Sequence, residues 1–506
     1  MDVAVKMTGI TMRFPGVLAN DNVNFEVERA EIHALVGENG AGKTTLMNIL
    51  YGLYVASSGT IEILGQRQMF HSAVDAINVG IGMVHQHFML IPHLTVADNI
   101  VLGEEPRKGS RYLRAEAVRR INALCDEYDM IIDPTALVSG ISLGMQQRVE
   151  IMKTLYRKAE IIILDEPTAV LTPQEIDELG RMLQKLKQAG KTIIIITHKL
   201  REIIDFSDRV TVLRRGKVVG TLRTGDTTAD EITQMMVGRN VHLGGDKQVS
   251  TAGEVVLRVE NLNYHNGRVQ KLKDISFTVR EGEIFGIAGI DNSGQKELSE
   301  AITGLIKTDN GEIFLDSDCI TGWQTERIRH GGISFVPQDR QKSGLALGMS
   351  VRENLILGYE NLGEYKKHGI LMNMQAITKN ADDQILRFDI RLNNPETAAH
   401  TLSGGNQQKM VVAREISHAS RLILADQPSR GVDIGATELI HKTLVDARNT
   451  GKAVLLISLE LDEVMLLSDR IGVLHDGRLM GIIDAKGATR EKIGLMMAGE
   501  DAGYAA

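Results

Sequence analysis

Apolar residues fall along this chain in two patterns. The opening stretch, MDVAVKMTGITMRF, alternates apolar and polar positions, the period of a strand with one face in a core. Elsewhere they come as short unbroken runs: HALV at 33–36, IIIL at 161–164, IIII at 193–196 and AVLLI at 453–457. None approaches the roughly 20 residues of a membrane-spanning helix, so the runs predict parallel strands buried on both faces and an α/β fold. The N-terminal stretch lacks a long apolar core, so no signal peptide is expected.

The pattern is also written twice. EIHALVGENGAGKTTL at 31–46 returns in outline as EIFGIAGIDNSGQKEL at 283–298, an offset of 252, and Gln86 in MVHQHFML matches Gln338 in FVPQDRQK at the same offset. Farther on the offset is 261: ISLGMQQRVEI from 141 matches LSGGNQQKMVV from 402, and THKLREIIDFSDRV from 197 matches SLELDEVMLLSDRI from 458. The second copy has therefore gained nine residues between Gln338 and Leu402. Two homologous domains are expected, at 1–240 and 254–500, joined by a polar, glycine-containing linker at 241–253.

Composition narrows the classes. A chain of 506 residues with 43% hydrophobic content can build several packed cores, and its net charge of −8 gives no basic field for nucleic acid. Cys125 and Cys319 are far apart and lie in no paired motif, so neither a disulfide framework nor a zinc site is expected.

The first copy carries the chemistry. In Gly37, Glu38, Asn39, Gly40, Ala41, Gly42, Lys43, Thr44 and Thr45 the glycines let backbone N–H groups close around phosphates. Lys43 adds charge at the outer phosphates, the Thr44 hydroxyl faces Mg²⁺, and the following helix points its positive end inward. In IIILDEPT, Asp165 closes a strand and can anchor the Mg²⁺ shell, and Glu166 can orient and deprotonate a water. An acidic pair opening a loop is, by itself, more often a helix cap; beside a phosphate loop it reads as catalytic. His198 closes the IIIIT strand and suits a γ-phosphate contact, Gln86 could touch metal and water, and Phe14 in MRFPGV could stack on adenine.

Phosphate loop, Gln86, a stretch at 141–147, Asp165–Glu166 and His198 stand in an order that resembles the ATP-binding-cassette (ABC) ATPases, over nearly all of the chain and in both copies. Details such as MVHQHF, DEPTAVLTPQE, THKLRE, GIDNSGQKEL and LSGGNQQK resemble the tandem-cassette subunits of nucleoside and simple-sugar importers, with MVHQHF and Gln295 leaning toward nucleosides. The resemblance implies two P-loop domains in tandem, each with a helical signature subdomain, and ATP with Mg²⁺ as cofactors. It also implies two transmembrane permease subunits, an extracytoplasmic substrate-binding protein, no nucleic acid, and a peripheral place on the cytoplasmic face of the membrane. A pentose or hexose importer is the alternative cargo reading. A soluble tandem ABC protein acting on ribosomes or DNA is the alternative class; its translation-type members carry a long charged arm and two competent sites.

The copies are unequal. Gln295 and Lys296 replace Lys43 and Thr44, Gln427 replaces Glu166, and Leu459 replaces His198. A glutamine can position water but cannot accept its proton. The signature is intact in the second copy, at Ser403, Gly404, Gly405 and Asn406, where Asp433 also follows; the first copy has Leu143 in place of Gly404 and Thr172 near the place of Asp433. In the family each ATP lies between one cassette's phosphate loop and the other's signature. That arrangement sorts every loss into one site and predicts one hydrolytic and one degenerate site.

Overall fold

The computed structural model describes residues 2–86, 88–168, 171–197, 199–239, 241–248, 252–367, 371–418 and 420–500. It divides into two units, Met1–Val241 and His242–Ala506. Residues 242–248, in the stretch read as a linker, belong to the second unit. There Lys247 pairs with Asp469 at 2.9 Å, and the Asn449 side-chain amide donates to the Asp246 carbonyl at 2.9 Å.

In the first unit a six-stranded sheet runs Lys217–Arg223, Arg209–Arg214, Ile32–Val36, Thr192–Ile196, Ile161–Asp165, Ile81–Val84. All neighbours are parallel except the outermost hairpin pair, Arg209–Arg214 with Lys217–Arg223. The second unit repeats the order as Arg478–Asp484, Arg470–His475, Ile284–Gly289, Ala453–Ile457, Leu422–Asp426, Ile333–Val336. Each unit adds an antiparallel sheet; in the first, the alternating strand Val3–Phe14 pairs with Val17–Glu28 and Ser58–Ile63.

The unbroken apolar runs follow from what covers the sheet. Ile161 and Ile163 pack on one face with Leu46, Met47 and residues of the antiparallel sheet. Ile162 and Leu164 pack on the other with Ile100, Ile121 and Met152, from the helices Val96–Val101, Arg114–Tyr128 and Leu143–Tyr156. Both faces are covered, so Ile161–Leu164 are apolar without alternation and the first polar residue, Asp165, comes at the strand's end. The second unit does the same, Leu422 and Leu424 facing one core while Ile423 and Ala425 face another.

The nine extra residues can be placed. Thr95 and Ser350 cap equivalent helices at an offset of 255, and each bridges the strand-like residue, Leu137 or Ala398, that stands at 261. Three of the nine thus lie before Ser350, where the turn Arg340–Gly344 forms, and six lie after it. The later insertion builds a small core of its own from Ile356, Tyr359, Tyr365 and Ile377.

Candidate nucleotide-binding site

Between strand Ile32–Val36 and helix Lys43–Leu50 the chain turns through Gly37–Gly42. Close approach dictates the glycines. A Cβ at Gly37 would stand 2.1 Å from the Leu213 carbonyl oxygen, and at Gly42, where φ is 100°, 2.3 Å from that of Ala19. Ala41 is buried, Glu38 and Thr45 are half-buried, and Asn39, Gly40 and Thr44 are exposed. The Lys43 side chain folds over the loop, its ammonium donating to the carbonyls of Gly37 at 2.7 Å and Glu38 at 3.0 Å. Burial lowers its pKa, and the carboxylates of Glu166, Asp165 and Glu38 oppose that shift. An ammonium held at the loop mouth by two carbonyls can exchange them for an anion.

Asp165 ends its strand, and burial together with the Glu166 charge pushes its carboxyl up to about 6, with Lys43 pulling the other way. Glu166 adopts a left-handed φ of 45°, a conformation held by its N–H donating to the Ile196 carbonyl at 2.9 Å. The Gln86 side-chain amide donates to the Glu166 carboxylate at 2.7 Å. Phe14, half-buried at the end of its strand, meets Tyr54 edge to face at 5.6 Å. No motif marks Tyr54, so it was not legible before its neighbour Phe14 was placed. His198 lies outside the described residues. One phosphate loop, an ammonium, a carboxylate pair and a glutamine thus share one end of the sheet.

The second unit keeps the frame with different chemistry. Gly294 has φ 105°, and the Gln295 amide donates to the Ile290 carbonyl at 3.0 Å, where Lys43 binds Glu38 in the first unit. Lys296 is exposed, 3.8 Å from Glu300. Asp426 is only 2% exposed, accepts from the Ser299 hydroxyl at 2.8 Å, and is pushed by burial up to about 7. Gln427 repeats the strained backbone of Glu166, with φ 52° and its N–H on the Ile457 carbonyl at 2.8 Å. Backbone geometry therefore survives where the carboxylate does not.

The signature stretches also differ. Ser403 caps helix Gly404–Ser417 and accepts from the Asn406 side chain at 3.1 Å. A Cβ at Gly404 would stand 2.5 Å from Nη2 of Arg340, and one at Gly405 2.7 Å from the Asp433 carboxylate. Arg340 sits on the inserted turn and donates to the Arg430 carbonyl at 3.0 Å. In the first unit Ser142 caps the equivalent helix, Leu143 projects where Gly404 stands, and Thr172 caps helix Pro173–Gln188 as Asp433 caps Ile434–Asn449. Arg340 escaped sequence reading because its partners are distant and the insertion has no counterpart in the first copy.

Comparison with known proteins is decisive on the family. The pattern described as "ABC transporter" matches residues 20–169 and again 272–430. The chain belongs to the ABC transporter ATP-binding family. It is 47% identical over 499 residues to the nucleoside import ATP-binding protein NupA of Lactococcus lactis subsp. cremoris, covering 98% of each chain. It is 46% identical to the guanosine import ATP-binding protein NupO of Bacillus subtilis, covering 99% of this chain and 98% of that one. A ribose import ATP-binding protein, RbsA 1 of Rubrobacter xylanophilus, is 39% identical over 98% of this chain and 99% of its own. Among solved structures, the archaeal ribosome recycling factor aABCE1, in its complex with the stalk protein aP1, matches 93% of this chain and 88% of that one with a TM-score of 0.62. At 17% identity this likeness concerns the fold alone. ATP binding and hydrolysis are the business of this ABC-type ATPase.

Proposed function

We propose that the chain energises nucleoside import, hydrolysing ATP to drive two permease subunits that receive cargo from an extracytoplasmic binding protein. The observation that carries the cargo reading is the identity of 47% and 46% to two proteins named for nucleoside and guanosine import, against 39% for the ribose protein. A glucose import ATP-binding protein of Haloferax volcanii, 44% identical, keeps sugars as the second reading.

Lys43 and the loop amides hold the outer phosphates, and Phe14 with Tyr54 offers an aromatic edge for adenine. Thr44, Gln86 and Asp165 suit Mg²⁺, which takes few protein ligands and fills its octahedron with water and phosphate oxygens. When bound, the metal neutralises phosphate charge. Glu166 takes the proton of the attacking water while Gln86 orients the carboxylate, and His198 contacts the γ-phosphate. By the family resemblance, and with the losses sorted between the copies as the sequence has them, the Ser403–Asn406 signature is proposed to serve the same ATP.

No helix among the described residues is long and apolar enough to cross a membrane. The relatives' names as import ATP-binding proteins support a peripheral place on the cytoplasmic face of the membrane, beside permease partners. The first unit offers a cleft of about 150 Å³ beyond Gln86, bordered by Tyr51, Ile77, Met83, His85, Met89 and Arg157. In the second unit the positions matching Ile77, Thr154 and Arg157 are Arg329, Glu415 and His418. There Glu415 is fully buried against Arg329 and Arg414, and Tyr359 stacks on His418 at 3.7 Å. A cleft on one copy and an ion-paired wall on the other suit permease elements that engage the two copies differently.

The test is uptake of labelled purine nucleosides, ribose and galactose by cells lacking the chain. Selective loss of nucleoside uptake is expected. Loss of sugar uptake with nucleoside uptake intact makes the sugar reading correct.

A further inference from the structure

A buried carboxylate outside the phosphate loop joins the two segments that carry Glu166 and His198. Glu202 stands in the first turn of helix Leu200–Phe206 and is 4% exposed. One of its oxygens accepts from the Thr168 hydroxyl, the other from the Thr197 hydroxyl at 2.7 Å. Thr168 follows Glu166 by two residues, and Thr197 immediately follows Ile196, whose carbonyl holds the Glu166 N–H. Lys199 adds to the junction: its N–H donates to the Thr197 hydroxyl oxygen at 3.0 Å, and its ammonium reaches the Thr168 carbonyl at 3.5 Å.

The energetics make this a coupling and not mere filling. A carboxylate removed from water is costly unless its oxygens are hydrogen-bonded, and here each oxygen is served by a different loop. Movement of either loop alone breaks a bond to a desolvated carboxylate. Movement of both together preserves them.

The second unit keeps a glutamate and two hydroxyl residues in these places after losing the catalytic groups, with different bonding. Glu463, 5% exposed, stands 261 residues on from Glu202, and Ser429 and Ser458 occupy the places of Thr168 and Thr197. Against burial, which raises it, His441 at 2.9 Å, where the first unit has Gly180, holds the Glu463 carboxyl below the ordinary range. The two-hydroxyl bracket on a buried glutamate is thus described in the copy that keeps the catalytic groups.

We propose that Glu202 is a positioning residue for hydrolysis, locking the Glu166 segment to the His198 segment so that base and γ-phosphate contact move as one. This rests on the roles given above to Glu166 and His198.

The experiment uses the purified full chain and measures kcat, the KM for ATP and the melting temperature. Thr168→Val and Thr197→Val remove a hydroxyl at nearly constant volume. Each is expected to lower kcat by about tenfold at a temperature where the chain stays folded, with KM little changed and a moderate drop in melting temperature from the unsatisfied carboxylate oxygen. Thr168→Ser and Thr197→Ser, which keep the hydroxyl, should restore turnover. Adding Thr168→Val to Glu202→Ala should cost little more than Glu202→Ala alone, because one bracket is already broken. Wild-type kcat in both valine variants overturns the proposal, and so does a loss that vanishes when rates are normalised to folded protein or that serine fails to rescue. Glu166→Gln, run in parallel, separates the two claims: normal turnover there removes the assignment of the base and leaves the bracket's own readouts to be judged by themselves.

Discussion

The Gln86 amide and the Glu166 carboxylate meet at 2.7 Å because of strand register. Strand Ile81–Val84 pairs in parallel with Ile161–Asp165 at a constant offset, Ile81 opposite Ile161 and Val84 opposite Leu164. Continued two residues past Val84, that register brings position 86 to position 166. The sheet sets the offset, and the turn at Glu166, with its φ of 45°, completes the contact.

Glu166→Gln is expected to keep ATP binding and lose turnover on the order of 10²–10⁴, the usual worth of a placed general base. Gln86→Ala leaves the carboxylate but frees its orientation, so a smaller loss of about tenfold in kcat is expected. Steady-state ATPase rates with ATP binding measured alongside check both. A Gln86→Ala enzyme as inert as Glu166→Gln would show that the glutamine does more than orient.

A pH prediction follows from the first unit's core. His33 is fully buried on the central strand, bonded to Glu31 at 2.7 Å and to Thr211 at 2.7 Å, and burial lowers its pKa despite Glu31. The unfolded chain therefore takes up a proton below about pH 6.5 that the folded chain resists, so stability is full above that value and falls as pH drops. Glu31 is also held low, which adds a loss only near and below the ordinary glutamate range. The second copy has Phe285 at the matching position, packed on Phe277 at 5.3 Å. His33→Phe should therefore flatten the fall in melting temperature between about pH 6.5 and 5. An unchanged slope would place the acid sensitivity in other groups.

Legibility in the sequence followed range. Tandem repeat, α/β class, family and phosphate loop were readable because each is written in a contiguous run or a fixed offset. Relations between distant segments were not. Nothing local marks Ser299 as the hydroxyl that occupies Asp426, or Arg340 as the side chain beside Gly404. The Glu202 bracket was hidden for the same reason, its partners lying 34 and 5 residues away on two different loops. The packed segment at 242–248 reads as a loop because most of its bonds, apart from those of Lys247, join its backbone to side chains about 200 residues away, which composition does not display.

The buried state of Asp426 gives a contrast test. Its carboxyl is satisfied by Ser299 and pushed up to about 7 by burial, whereas Asp165 is more open and faces Lys43. Asp165→Asn should abolish ATPase activity, while Asp426→Asn, which can still accept from Ser299, should stay within about twofold of wild type. A collapse of turnover in Asp426→Asn with a normal melting temperature would mean that the second copy's carboxylate takes part in hydrolysis.

The asymmetry of the signatures gives the last prediction. Ser403 caps its helix in the copy whose own loop has Gln295 for lysine and Gln427 for glutamate, and Ser142 caps the equivalent helix in the copy whose loop is intact. If the second copy's signature serves the first copy's ATP, the damage done by a signature mutation must be largest where the neighbouring loop is poorest. Ser403→Arg removes the capping oxygen and sets a second guanidinium near Arg340, and should abolish ATPase activity. Ser142→Arg acts on the nucleotide that already lacks a base, so much of the turnover should survive. A lost N-cap costs about 1 kcal/mol of stability in either helix, so folding alone predicts equal harm. ATPase rates normalised to folded protein separate the two explanations. Equal loss in both variants would mean two comparable, coupled sites, and an active Ser403→Arg enzyme would mean that the second copy's signature serves no hydrolysed ATP.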